Sequence, residues 1–164
     1  MRRSPCIHFC HAPPLTWALV QVYRRFLSAL GPRHADTADI LYNIGLLHKD
    51  LLDFGAADQY LRSALDIYIK VHAALFVCSS RHLKTHFRHD SRLWQVHGPR
   101  HRDVGFTWHD IGDVALRADV LHQAVAAFEL AYSIRAEVLG EEDDETQQSK
   151  TALCEARAAM LETA

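Results

Sequence analysis

Apolar residues recur at steps of three and four in two well-separated stretches of the chain. The first carries Leu41, Ile44, Gly45 and His48, followed by Ala57, Leu61, Ala64 and Ile67. The second carries Trp108, Ile111, Gly112 and Ala115, followed by Ala124, Phe128, Ala131 and Ile134. That spacing predicts four helices, each with one apolar stripe. The order large, apolar, small, then small, large, small is the same in both stretches. Gly45 with Ala57, and Gly112 with Ala124, remove the side-chain bulk that holds paired helices apart. Ala18-Leu19-Val20-Gln21-Val22-Tyr23 resembles Ala127-Phe128-Glu129-Leu130-Ala131-Tyr132 and predicts a further second-type helix over 18–30. Leu153, Ala156, Ala159 and Met160 predict one more first-type helix, in which Cys154 stands where the glycine would be.

Turn signals divide these helices into units. Leu30-Gly31-Pro32-Arg33-His34-Ala35-Asp36, Val96-His97-Gly98-Pro99-Arg100-His101-Arg102-Asp103 and Leu139-Gly140-Glu141-Glu142-Asp143-Asp144 read alike. Gly98 and Gly140 are 42 residues apart, and Gly31 and Gly98 are 67 apart, which is 25 more than 42. The period becomes uniform if 25 residues are inserted in the first full unit. The organisation that follows is an irregular N-terminal segment 1–17, the tail of a preceding unit 18–30 and a full unit 31–71. An insertion 72–96, a second full unit 97–139 and a partial, capping unit 140–164 complete it.

The series Leu41, Ile44, Gly45, Ala57, Leu61, Ala64 resembles the tetratricopeptide signature, and Trp108, Ile111, Gly112, Ala124, Phe128, Ala131 resembles it more closely. The usual period of that family is about 34 residues. The longer period, with its Gly-Pro-x-His-x-Asp connector, is similar to the kinesin light chain type of repeat. Tyr42-Asn43-Ile44-Gly45 also resembles the asparagine-bearing first helix of that type, whereas the second unit has His109-Asp110 there. The resemblance implies an all-α right-handed superhelix of stacked antiparallel helix pairs, its concave groove lined by the first helix of each pair. It places Asp39, Tyr42, Asn43, Leu46, Lys49 and Asp50 of the first unit in that groove. From the second unit it places Phe106, His109, Asp110, Asp113, Leu116 and Arg117 there. A groove of this kind takes an extended peptide or a helix. The expected function is therefore a protein-binding scaffold or adaptor, not an enzyme, with no cofactor and no metal. Barely two full units bury little surface, so the runner-up is a structural fragment of a larger repeat array that self-associates through its end faces, and a small zinc-binding domain is the third alternative.

Residues 72–96 fit no position of the repeat, and three readings of them stand open. One is a surface loop elaborating the binding face, its Arg81, Lys84, Arg88 and Arg92 suited to an acidic partner. Another is a metal site of Cys78, His82, His86 and His89, whose steps of four, four and three lie near one helical face. The third is translated intron: splicing Lys70-Val71 onto His97-Gly98 restores the period, and valine codons begin with GT, as splice donors do.

Composition changes the picture little. Half of the 164 residues are apolar, enough for a core, and the net charge of −2 gives no signal for nucleic acid or an anionic membrane. The four cysteines form no CxxC pair and are too sparse for a disulfide-stapled domain, which points to a reducing, cytoplasmic setting. The N-terminus, broken by Pro13-Pro14, lacks the apolar run of a signal peptide. Cys6-x-His8-x-Cys10-His11 is suggestive of zinc but has no second ligand pair nearby. There is no phosphate-binding glycine loop, and neither Ser63 nor Ser133 has a glycine elbow. His109, Asp110 and Asp113 read as polar residues on a solvated helix face. His34 and His101 read as packing or capping residues, and the acid run 141–145 as a connector that caps a helix.

Overall fold

A computed structural model describes residues 14–80 and 101–162, and among these every regular element is α-helical. The helices are α1 (Pro14–Leu30), α2 (Ala35–Asp50), α3 (Phe54–Ser80), α4 (Arg102–Arg117), α5 (Leu121–Val138) and α6 (Asp144–Glu162). None is long and apolar enough to cross a membrane. Each helix packs on its neighbours in the chain, and α4 also touches both α2 and α6.

The local signals recur at the register of the sequence repeat. His34 and His101 are the N-caps of α2 and α4, their Nδ1 atoms accepting from the backbone N–H of Asp36 and Asp103 at 3.2 and 3.3 Å. Asp143, 42 positions after His101, accepts from Glu145 N–H at 3.0 Å before α6. Three helices thus begin with a side-chain acceptor two residues before the donor, satisfying one of the N–H groups a helix start leaves free. The helices end alike too. Leu52 and Asp119 have φ of 61° and 60°, and the N–H groups of Asp53 and Val120 each reach back to carbonyls of His48 and Ala115 at 2.9 Å. This left-handed closure is usually made by glycine, because a Cβ there is strained.

Two antiparallel hairpins result. Asp39 meets Tyr68, Gly45 meets Leu61 and His48 stacks on Tyr60, so α2 and α3 run in opposite directions. In α4 and α5, Gly105 meets Ile134 and Gly112 meets Phe128 in the same sense. The two central glycines are required by close approach. A Cβ on Gly45 would lie 2.8 Å from Leu61 Cγ, and one on Gly112 only 2.7 Å from two ring carbons of Phe128. The stripes named above form the core: Ala57, Leu61, Ala64, Ala124, Phe128, Ala131 and Ile134 are all buried. In α6, Leu153 and Ala156 are buried, while Met160 and Cys154 are exposed.

Two boundaries differ from the sequence reading. Helix α1 starts at Pro14, inside the segment expected to be irregular, because proline at a helix's first position has no N–H to lose and a φ already suited to it. Helix α3 runs on to Ser80, nine residues into the segment assigned as an insertion. No glycine or proline lies between Gly55 and Gly98 to stop it.

Candidate functional site

The residues expected to line a groove come from α2 and α4, and the contact between these two helices brings several of them together. Tyr42 donates its hydroxyl to Asp110 Oδ2 at 2.5 Å, and Lys49 donates to Asp110 Oδ1 at 2.9 Å. Lys49 Nζ also lies 3.2 Å from Asp113 Oδ2, whose other oxygen is 3.1 Å from Arg117 Nε. The network alternates in charge and spans the two first helices. Lys49 and Asp110 are each only 15% exposed. Asp110 and Asp113 are therefore interhelical partners with restricted solvent access, which corrects the expectation of a solvated polar face.

Burial and charge shift the titration of this cluster. Burial and then the Asp110 carboxylate push the Tyr42 phenol above its ordinary range. Burial alone would depress the Lys49 ammonium, but its hydrogen bond to Asp110 and the charges of Asp110 and Asp113 together raise it. The lysine is held as a cation and the tyrosine as a neutral donor, the forms in which the network closes.

A second polar set adjoins the first on the α5–α6 side. Arg135, 2% exposed, donates through Nη1 to the Glu145 carbonyl and to Ser149 Oγ, both at 2.7 Å. Its guanidinium lies 4.2 Å from the centre of the Phe106 ring, with Arg102 at 5.1 Å from the same ring. This cation–π contact partly replaces the water that burial removes. His109 Nδ1 lies 3.2 Å from Ser149 Oγ, and burial, followed by the charge of Arg135, lowers the imidazole's pKa. At neutral pH the ring is uncharged.

The remaining candidates sit at the edges. Asn43 is exposed, with its side-chain nitrogen donating to the Asp39 carbonyl at 2.8 Å. Asp39, also exposed at its rim, accepts from Tyr68 at 2.5 Å. Leu46 and Leu116 are partly buried against the core, and Asp50 and Arg117 are exposed. The exposed residues left for a ligand are Asp39, Asn43, Asp50 and Arg117, with the half-buried Phe106 beside Arg102, around an internally paired floor. Sequence reading missed Arg135, Ser149 and Tyr68. The signal for Arg135 was a cation falling on the apolar stripe of α5, one position after Ile134.

Elsewhere, a cleft of about 500 Å³ lies between α3 and α5, lined by Asp58, Arg62, Gln123 and Leu130 over Trp108 and Ile111. None of the groove candidates lines it. The cluster Cys78, His82, His86, His89 and the motif at Cys6–His11 fall on side chains outside the described residues. No family model matches the chain, and no curated protein matches it significantly.

Proposed function

We propose that the chain is a tetratricopeptide-type scaffold that binds a peptide or helix of a protein partner along the shared face of α2, α4 and α6, and that it is not a catalyst. The observation that carries this reading is the Tyr42–Asp110–Lys49–Asp113 network. It ties α2 to α4, the first helices of the two hairpins, and His109 with Ser149 links α4 to α6, which supports a surface shared by the three. The recurrence of the caps at His34, His101 and Asp143, and of the left-handed closures at Leu52 and Asp119, supports equivalent hairpins stacked as in a superhelix of the kinesin light chain type. A floor whose charges are already paired favours a partner read by shape and by the rim, with Phe106 as the aromatic contact and Asp39, Asn43, Asp50 and Arg117 as polar ones. Neither nucleic acid nor a membrane enters this reading, and its setting is the cytoplasm.

The test is selection of binding peptides from a displayed library, followed by affinity measurement with variants. Asn43→Arg places bulk on the rim without touching the core and is expected to weaken a selected peptide by at least about tenfold. Arg62→Ala, on the second-helix side, is expected to leave it unchanged. Equal binding by the Asn43 variant contradicts the groove. A second reading, self-association through end helices, is favoured by the exposure of Trp17 on α1 and Leu161 on α6. Light scattering over a dilution series separates the two: the monomer mass of 18.6 kDa at every concentration rules out self-association.

A further inference from the structure

The chain leaves α3 and enters α4 at a point where two histidines and an aspartate converge. His72 comes from α3, while His101 and Asp103 belong to the start of α4. Their ligand atoms all lie within 4.8 Å of one another. His72 Nε2 is 3.5 Å from Asp103 Oδ2, and His101 Nδ1 is 3.2 Å from the same oxygen. The His72 side chain is 13% exposed, and its buried Nε2 faces the Asp103 oxygen at the outer limit of a hydrogen bond.

Two physical points make this more than an ordinary ion pair. His101 Nδ1 accepts the Asp103 N–H as the cap of α4, so that nitrogen carries a lone pair rather than a proton. That nitrogen lies 3.2 Å from the Asp103 oxygen, closer than the 3.6 Å of the matching His34–Asp36 cap of α2, and only here does a third ligand, His72, approach the same oxygen. The distances also have a meaning of their own. Tetrahedral zinc with bonds of about 2.0–2.1 Å sets its ligand atoms about 3.4 Å apart, and both measured separations lie within a few tenths of that value.

We propose that His72, His101 and Asp103 form a zinc site, with water completing the coordination, that joins α3 to α4. Two imidazoles and one carboxylate suit zinc and disfavour calcium or magnesium, which prefer all-oxygen shells. Three features oppose the ion. The imidazoles stack at 3.4 Å between centroids and must splay for their lone pairs to converge. Metal at His101 Nδ1 displaces the Asp103 N–H from its cap acceptor. The positive end of the α4 dipole faces the cation. The Asp103 carboxylate offsets that charge, and α3 contributes His72 from outside the dipole's first turn.

The test uses the full chain, stripped of metal by a chelator and dialysed. Co²⁺ reports coordination through the strong visible absorption of its four-coordinate form, and Zn²⁺ is then titrated in competition. One ion per chain is expected, with Zn²⁺ raising the thermal midpoint, since binding to the folded state alone stabilises it. Asp103→Asn keeps the side-chain shape and the α4 cap. It is expected to weaken binding by about tenfold or more, as is His72→Asn. The combined variant His82→Ala, His86→Ala, His89→Ala and the variant Cys6→Ser, Cys10→Ser disable the two other candidate ligand sets, and each is expected to bind as the unaltered chain does. If His72→Asn does not fold, Asp103→Asn with circular dichroism matched to the parent decides alone. Binding unaffected by Asp103→Asn, binding lost in the triple-histidine or the double-cysteine variant, or no four-coordinate cobalt spectrum each overturns the proposal.

Discussion

Gly112→Ala isolates the contact that sets the spacing of the α4–α5 hairpin. Alanine in a helix interior is worth about 1 kcal/mol over glycine, so propensity alone favours the variant. The new Cβ, however, would sit 2.7 Å from Cδ1 and Cε1 of Phe128 and 3.0 Å from Cγ. Carbon atoms pack best at about 3.5–4.0 Å, so the ring or the helix must retreat by about 1 Å. Phe128 is 1% exposed and has the His109 ring 5.3 Å away, which leaves it little room. Overpacking of this kind costs about 1–3 kcal/mol, and we expect a net loss of about 1–2 kcal/mol. Gly45→Ala meets Leu61 at Cγ 2.8 Å, Cδ2 3.0 Å and the backbone nitrogen 3.3 Å, and should be destabilising by a similar amount. Urea unfolding followed by far-UV circular dichroism measures both. Adding Phe128→Leu to Gly112→Ala should recover part of the loss, giving a double-mutant coupling of at least about 0.5 kcal/mol. A stabilised Gly112→Ala, additive with Phe128→Leu, would refute the close approach of the two helices.

Three further outcomes are expected. Asp110→Ala leaves the Tyr42 hydroxyl and part of the Lys49 charge without their acceptor and should cost about 2–3 kcal/mol in the same urea assay, with Lys49→Met added to it restoring a portion. Leu52→Gly relieves a left-handed leucine and should stabilise by about 0.5–1 kcal/mol, more than Asp119→Gly, because aspartate tolerates that conformation better. Stability measured against pH should fall at both ends. His109 has a lowered folded pKa, so below about pH 6.5 the unfolded chain binds the proton more readily and stability is lost. Tyr42, Tyr68 and Lys49 have raised folded pKa values, so their contribution is full below about pH 10 and lost above it. Replacing His109 with Gln should flatten the acid limb contributed by that residue.

The helical stripes were legible because burial enforces periodicity: Ala57, Leu61 and Ala64 face the core for the same reason as Ala124, Phe128 and Ala131. Gly45 and Gly112 were legible as close approaches, and His34 and His101 as caps, because those roles depend on a few adjacent residues. The pairing of Tyr42 and Lys49 with Asp110 was not. A helical period gives the face a residue occupies, but not which residue of a neighbouring helix, more than sixty positions away, stands opposite it. The same limit hid His72, whose companions His101 and Asp103 are brought to it only when α3 and α4 pack together. The end of α3 was misplaced for a different reason. The repeat period marked where a unit should close, but the residues that follow contain nothing that terminates a helix.

The outer edge of α2, α4 and α6 is the proposed binding surface. Amide chemical-shift mapping of the isotope-labelled chain against a library-selected peptide tests it directly. The perturbed amides are expected to cluster on these three helices, around Asp39, Asn43, Phe106 and Arg117, with α3 and α5 little changed. Perturbations centred instead on the α3–α5 cleft around Arg62 and Gln123 would contradict it.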